Sequence, residues 1–219
     1  MTTQSSQRKR LLTGITTVFV LIGIAYAVWA LFLAMAIGFA IVIERFIYLS
    51  KVSRSITTLW TRITPMLKVN DFARANQVVT EAKGPLASVL AYGFSRFKPG
   101  VKRETLEAAM EEGIMEALPE LEERTHYLAI LANVATLLGL LGTIIGLIQA
   151  FTAVAAVDPS EKANLLSNSI SVAMNTTAFG LIVAIPLLLL HSYLSTRTNK
   201  LADTIEIAAI KCSNLMVND

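Results

Sequence analysis

Long apolar stretches without charge alternate with polar stretches along the chain. Residues 11–43, 127–157 and 163–196 contain no Asp, Glu, Lys or Arg and are rich in aliphatic side chains. Each stretch exceeds the roughly 20 apolar residues that cross a bilayer as a helix. None is long enough to hold two such helices and a turn comfortably. The pattern therefore predicts three long membrane helices that tilt or project beyond the lipid.

The overall composition supports this interpretation. Hydrophobic residues make up 54% of the 219 residues, and the mean hydropathy is +0.58, too apolar for an ordinary soluble domain of this size. The net charge of +3 comes from scattered cations mixed with acids. The sequence therefore shows no basic patch of the kind that binds nucleic acid. The single cysteine, Cys212, has no partner and no metal-ligand spacing around it. We therefore expect no disulfide, no metal and no cofactor.

The polar stretch after the first apolar run has a helical pattern. Asp71 is placed to cap a helix whose apolar residues recur at helical spacing, and Gly84-Pro85 ends that helix and begins the next. From Arg103 an acidic helix follows, which we expect to run on into the second membrane span. Its carboxylates are spaced as a solvated helix face rather than as a catalytic pair. No arrangement of side chains indicates an enzyme.

The count of cations near the span ends gives the orientation. More Lys and Arg flank the side that holds the middle segment, so this side is predicted to be cytoplasmic. The predicted fold class is an all-α membrane protein whose three transmembrane helices extend into a cytoplasmic helical domain. The predicted segments are a periplasmic polar N-terminus (1–10), transmembrane helix 1 (11–43), a cytoplasmic helical domain (44–125), transmembrane helix 2 (126–157), a periplasmic loop (158–162), transmembrane helix 3 (163–196) and a cytoplasmic C-terminal helix (197–219).

The second span carries a continuous stripe of small residues. On a helical projection, Gly139, Gly142 and Gly146 fall on one side together with neighbouring alanines. Lipid gives helices no hydrophobic reason to associate, so such a stripe indicates close approach of another backbone. Thr136 and Thr143, one heptad apart, flank the same side.

The third span is polar in its first half and apolar in its second. Its Asn side chains, including Asn175, share one sector with Ser171, whereas Thr176 and Thr177 lie in another. Two polar sectors imply two neighbours, because polar groups in lipid need partners or water. We expect Thr176 and Thr177 to line a cavity, and leave open whether the Asn sector bonds a neighbouring helix or lines a cavity. Pro186 is predicted to kink the second half.

The spans contain no Asp, Glu, Lys or Arg, although a proton or ion pathway normally needs an ionisable group or a set of coordinating oxygens at membrane depth. This chain offers hydroxyls and amides there. If the chain conducts protons, a partner must supply the titrating group.

Two segments resemble the signatures of a known family. GLLGTIIGLIQAF (139–151) and SVAMNTTAFGLIVAIP (171–186) resemble the second-span and third-span signatures of the MotA/TolQ/ExbB proton-channel family. Glu44-Arg45 at the end of the first span and Gly84-Pro85-Leu86 in the polar stretch are weaker matches. Three spans rather than four place the chain nearer to ExbB and TolQ than to MotA.

The resemblance implies a ring, most simply a pentamer, in the bacterial inner membrane, with its N-terminus periplasmic and its C-terminus cytoplasmic. The ring would enclose a dimer of a single-span ExbD/TolR-like partner whose membrane Asp carries the proton. Thr143 and Thr177 would line the pore, with Thr136, Thr176 and Asn175 as further residues of the ion pathway. The small-residue stripe would close the subunits into the ring.

On this analogy the chain converts proton-motive force into mechanical work on the envelope, most simply for TonB-dependent import with a TonB-like protein. The alternatives are a TolQ-like role in envelope maintenance, a motility stator, or a non-conducting membrane scaffold. Family members often carry a Glu five residues before the third-span Thr, where this chain has Val172. This departure leaves a sodium-driven version open.

Overall fold

The computed structural model describes the backbone of residues 2–155 and 158–217, and the side chains of Tyr26 and of residues 28–155 and 158–217. Within these ranges the chain is all-α, as predicted, and contains no strand. The side chains of the predicted polar N-terminus (1–10) and Val157 lie outside the described residues. The helices are α1 (Thr2–Lys68), α2 (Phe72–Glu81), α3 (Pro85–Arg96), α4 (Arg103–Glu122), α5 (Thr125–Val154) and α6 (Lys162–Met216).

Three stretches of the described residues are long and apolar enough to cross a membrane: Val28–Lys68, Arg103–Val154 and Lys162–Met216. The chain divides into two compact units. Unit 1 comprises Met1–Ala40 and Tyr127–Leu190, and unit 2 comprises Ile41–His126 and His191–Asp219. Helices α1 and α6 continue through the predicted span ends at residues 43 and 196, and α6 also continues through Pro186.

The short helices of unit 2 begin where the sequence places their start signals. The carboxylate of Asp71 accepts a hydrogen bond from the backbone N–H of Arg74 (3.1 Å), which satisfies one of the free donors at the start of α2. Gly84 has a φ of 120°, a conformation that favours glycine, and Pro85 follows it as the first residue of α3.

The core of unit 2 is built from large aliphatic side chains. The buried face of α4 consists of Leu106, Ala109, Met110, Gly113, Ala117 and Leu121. This face and the apolar faces of α1, α2, α3 and the end of α6 form one hydrophobic cluster, which includes Ile205, Ala208 and Cys212. Outside this core, Tyr92 donates a hydrogen bond to the Glu116 carboxylate, which raises the pKa of the phenol.

The expectation that α4 runs on into the second span is wrong. Helix α4 ends at Glu122 and α5 begins at Thr125, because Arg124 adopts a left-handed conformation with a φ of 62°. A single residue in this conformation ends a helix. Arg124 also lies 3.7 Å from the carboxylate of Glu44 on α1.

A buried arginine on α1 caps the C-terminal end of α4. Arg45, which the sequence places at the end of a membrane span, is only 1% exposed. Its guanidinium donates a hydrogen bond to the carbonyl of Leu121 in the last turn of α4 and lies 4.8 Å from the ring centroid of Tyr48. Tyr48 in turn donates to Glu120 (2.9 Å). Arg45 thereby satisfies a carbonyl that the helix end leaves without an intrahelical partner.

Candidate functional site

The predicted signature residues meet in unit 1, where α5 and α6 lie antiparallel and in close contact. A Cβ atom added to Gly146 would lie 2.6 Å from the Cβ of Ala173, and one added to Gly139 would lie 3.1 Å from the Cα of Gly180. Residue numbers rise along α5 as they fall along α6, which establishes the antiparallel arrangement. The absence of side chains at these positions brings the two backbones together.

The small-residue stripe of α5 is therefore covered by another helix of the same chain. Ala132, Ala135 and Ala150 on the same side of α5 are fully buried, as expected for a face that packs against a neighbour. The neighbour at the three glycines is α6 of the same chain. The hypothesis that this stripe closes subunits into a ring is thus corrected, because α6 covers it.

Close approach places two threonine hydroxyls together. The Oγ1 atoms of Thr143 on α5 and Thr177 on α6 are hydrogen-bonded to each other. Thr177 can also donate to the carbonyl of Gly139 on α5 (3.1 Å), and Thr143 to the carbonyl of Ala173 on α6 (3.4 Å). Both side chains are half-buried, so the pair is held between the helices on one side and accessible on the other.

The pair contains two hydroxyl protons and more acceptors than protons. Thr143 can donate to Thr177 while Thr177 donates to Gly139, or Thr177 can donate to Thr143 while Thr143 donates to a carbonyl. Each hydroxyl has one proton and two lone pairs, so either arrangement satisfies it. In either arrangement both protons are donated within the contact, so the pair presents hydroxyl lone pairs to a third group and supplies no group that ionises near neutral pH.

The other predicted pathway residues lie elsewhere. Thr176 is 6% exposed, packs against Gly142 and donates to the carbonyl of Ala173 (2.7 Å). The expectation that Thr176 lines a cavity is corrected on this ground. Thr136 is exposed and donates to its own helix at Ala132 (3.1 Å). The structure thus brings Thr143 and Thr177 together and separates Thr136 from them.

Asn175 belongs to an exposed polar stripe. We call the set Asn164, Asn168, Ser171 and Asn175 the Asn stripe; all four side chains are exposed. They lie on α6 roughly opposite the residues that contact α5, such as Ala173, Thr176 and Gly180. The Asn stripe is therefore free to meet a different neighbour.

Among the described residues, no group of three or more His, Cys, Asp or Glu side chains could hold a metal ion. The polar atoms at the Thr143–Thr177 pair are hydroxyl and carbonyl oxygens only. This chemistry fits hydrogen bonding to a protonated carboxyl group or contact with a hard cation.

Comparison with known proteins identifies the family. The model of the MotA/TolQ/ExbB proton channel family matches residues 81–207, which is more than half of the chain and includes Thr143 and Thr177. The chain belongs to the MotA/TolQ/ExbB proton channel family. The predicted membership is confirmed, and with the three long apolar helices it establishes a membrane protein.

Three relatives illustrate the range of this family. A putative biopolymer transport protein ExbB homolog of Methanothermobacter thermautotrophicus is 30% identical over 78% of this chain and 60% of its own length. Biopolymer transport protein exbB1 of Vibrio cholerae is 48% identical over 27% of this chain and 26% of its own length. The Tol-Pal system protein TolQ of Haemophilus influenzae is 33% identical over 42% of this chain and 40% of its own length. The matches thus span less than two thirds of the relatives' lengths.

Proposed function

We propose that the chain is the non-enzymatic ring subunit of an inner-membrane ion-driven motor. Five copies would surround a dimer of an ExbD/TolR-like single-span partner whose membrane Asp carries the proton, and proton flow would drive mechanical work on the envelope. The observation that carries this proposal is a hydroxyl pair, Thr143 and Thr177, within two helical segments that contain no Asp, Glu, Lys or Arg. The pair can solvate a proton carrier, but another chain must supply it.

The exposed polar stripe supports an assembly. Four polar side chains on α6 that point away from α5 would be costly in hydrocarbon without partners. A neighbouring subunit or the enclosed partner would satisfy them. The apolar side chains exposed on α5, such as Leu140 and Ile144, suit lipid or further helices.

Import is the process that we propose the motor drives, with a TonB-like protein as the recipient of the work. Two of the three relatives named above are called biopolymer transport proteins, and the third belongs to a Tol-Pal system. An envelope-maintenance role is therefore the second candidate. A test for energised uptake and a test for outer-membrane integrity, in cells lacking the chain, distinguish the two.

The test of the hydroxyl pair uses isosteric substitution. In cells that carry the single-span partner, Thr177→Val and Thr143→Val each remove a hydroxyl while keeping the side-chain shape. We expect energised uptake and proton leak to fall at least about tenfold, because loss of one hydrogen bond to a charge-carrying group weakens its stabilisation by about 1.5–3 kcal/mol. Thr177→Ser, which keeps a hydroxyl, should retain much of the activity.

Thr152→Val is the matched control. Thr152 is an exposed threonine on the same helix α5, and among the described residues its hydroxyl bonds only to its own helix at Ile148 (2.7 Å). It should leave uptake unchanged. Uptake and leak that survive both Thr177→Val and Thr143→Val would overturn the ion-pathway role and favour a scaffold, in which only bulky substitutions such as Gly142→Leu would abolish function. Replacing sodium by potassium at constant proton-motive force tests a sodium-driven version.

A further inference from the structure

Unpaired cations line one face of unit 2. Lys51, Arg54 and Arg62 on α1 and Lys83 after α2 line a groove of about 620 Å³. None of these four side chains makes an ion pair or a hydrogen bond within the part of the chain that the structure describes. Glu81 is the one acid in the lining, and it accepts a hydrogen bond from Gln77 (3.1 Å). This α1–α2 face carries an uncompensated positive charge.

Acids line another face of the same unit. Glu107, Glu111 and Glu206 line a groove of about 530 Å³ between α4 and α6, which shares no lining residue with the first groove. Arg103 in this lining is paired with Glu107 (2.7 Å). Glu111 and Glu206 have no such partner among the described residues. This α4–α6 face therefore carries unpaired negative charge.

The contacts within unit 2 give the axial level of each charge to within about one helical turn. Arg45 bonds to Leu121 and Tyr48 to Glu120, so α1 and α4 run antiparallel with these residues side by side. Both helices rise about 1.5 Å per residue. Counted from Leu121 and Arg45, Glu111 lies level with Ser55, and counted from Glu120 and Tyr48 it lies level with Thr57, so Glu111 is within about one helical turn of Arg54.

The remaining charges fall at the same level. Ser55 donates to the carbonyl of Lys83 (2.9 Å), which places Lys83 level with Ser55. Ser213 contacts Glu107 (3.3 Å), so Glu206, seven residues earlier on α6, lies at the level of α1 near Lys51. Three unpaired cations, Lys51, Arg54 and Lys83, and two unpaired acids, Glu111 and Glu206, thus occupy one slab about 9 Å thick, on different faces of the unit.

We propose that these two faces are complementary halves of one interface, in which the α4–α6 face of one copy of this chain docks on the α1–α2 face of the next copy. In a closed ring each copy contacts its neighbour through two different surfaces. Where the ring axis runs along α1 and α4, rotation about it brings residues of equal level together. Glu111 and Glu206 of one copy then lie within about one helical turn of Arg54 and Lys51 of the next. The inference rests on the ring that the proposed function requires and names the surfaces that close it.

Cross-linking of the full chain in native membranes tests the geometry. Cys212 is fully buried and is first replaced by alanine to remove the native thiol. A chain that carries both Arg54→Cys and Glu111→Cys, treated with a short bismaleimide, should give a ladder of covalent multimers that ends at a closed ring. A mixture of the two single-cysteine chains should give dimers only. Ser88→Cys with Glu111→Cys is the control, because Ser88 is exposed on α3 and lines neither of the two grooves.

Charge reversal tests the chemistry. Arg54→Glu should raise the concentration at which the detergent-solubilised ring dissociates about tenfold, because attraction between exposed charges becomes repulsion. Glu111→Arg in the same chain should restore assembly. Raising the salt concentration should weaken the wild-type ring, because salt screens the attraction between the two faces. For the same reason, the difference between the wild type and Arg54→Glu should become smaller at high salt.

The outcomes separate this inference from the proposed function. If native mass measurement finds an intact ring but the double-cysteine chain gives no ladder, the docking surfaces are wrong and the ring stands. If the wild-type chain is a single copy in membranes, both proposals fail. Loss of anionic-lipid binding in Arg54→Glu without any change in assembly would identify the α1–α2 face as a lipid site and overturn the proposed interface.

Discussion

The two units of this chain pack in opposite ways. In unit 1, α5 meets α6 through its smallest residues, and its large side chains point outward; Leu140, Ile144 and Phe151 are all about half exposed or more. In unit 2 the large side chains point inward, as Leu90 and Leu106 do, and charged residues cover the outside. Each arrangement suits a different solvent.

Different contacts stabilise helix packing in water and in hydrocarbon. In water, burying apolar area is favourable by about 25 cal/mol per Å², so large aliphatic residues fill the core. In hydrocarbon this gain is absent, so helices associate through close van der Waals contact and hydrogen bonds, which small residues permit. The same helix α6 follows the second rule at Ala173 and Gly180 and the first at Ile205 and Met216.

The largest expected effect comes from a deletion in the core of unit 2. Leu90→Ala removes a fully buried side chain and should lower the free energy of unfolding by about 2–5 kcal/mol. Leu140→Ala makes the same deletion on α5, where the side chain is 51% exposed, and should change stability by less than about 0.5 kcal/mol. Denaturant titration of the purified chain measures both. Equal losses at the two positions would contradict the comparison.

One added methyl group tests the close contact between α5 and α6 in unit 1. Gly180→Ala places a Cβ 2.7 Å from the carbonyl oxygen of Ala135 and 2.9 Å from the Cα of Gly139, both backbone atoms. The helices must separate, at a cost of about 1–3 kcal/mol. Thermal unfolding followed by circular dichroism should show the loss. Ala178→Val enlarges an exposed side chain on the same helix and should melt like the wild type; if both melt alike, the close helix contact is wrong.

The smallest effect is expected at the start of α2. Asp71→Ala removes the acceptor for the N–H of Arg74 and should cost about 1 kcal/mol, within the 0.5–2 kcal/mol typical of such caps. Asp71→Asn keeps an acceptor oxygen and should cost much less. Hydrogen exchange at the first amides of α2 reports the change directly. A cap role for Asp71 would be untenable if Asn and Ala raised exchange equally.

The sequence predicted elements whose signals are local. Asp71 and Pro85 mark helix starts through their own chemistry, and α2 and α3 begin where these residues predicted. The break between α4 and α5 was missed because the left-handed residue is Arg124 rather than Gly or Asn, which would have signalled it. Arg45 was placed at an interface because no local pattern announces that an arginine will cap a distant helix.

The candidate site was predictable in its residues and less so in its geometry. A helical projection separates Thr177 from the Asn stripe, but it does not say which sector faces a helix of the same chain. The structure resolves this by burying Thr176 against Gly142 and leaving Thr177 at the edge of the contact beside Thr143. The family signature singled out Thr143 and Thr177, and the structure places their hydroxyls in contact; their role in the ion pathway stays a prediction.

The Asn stripe has a consequence for a single copy of the chain in a bilayer. A single copy inserted in a bilayer would expose Asn164, Asn168, Ser171 and Asn175 to lipid or draw water toward them. The cost of these unpartnered groups in hydrocarbon favours any association that covers them, so the stripe makes an isolated copy in a bilayer the less stable state.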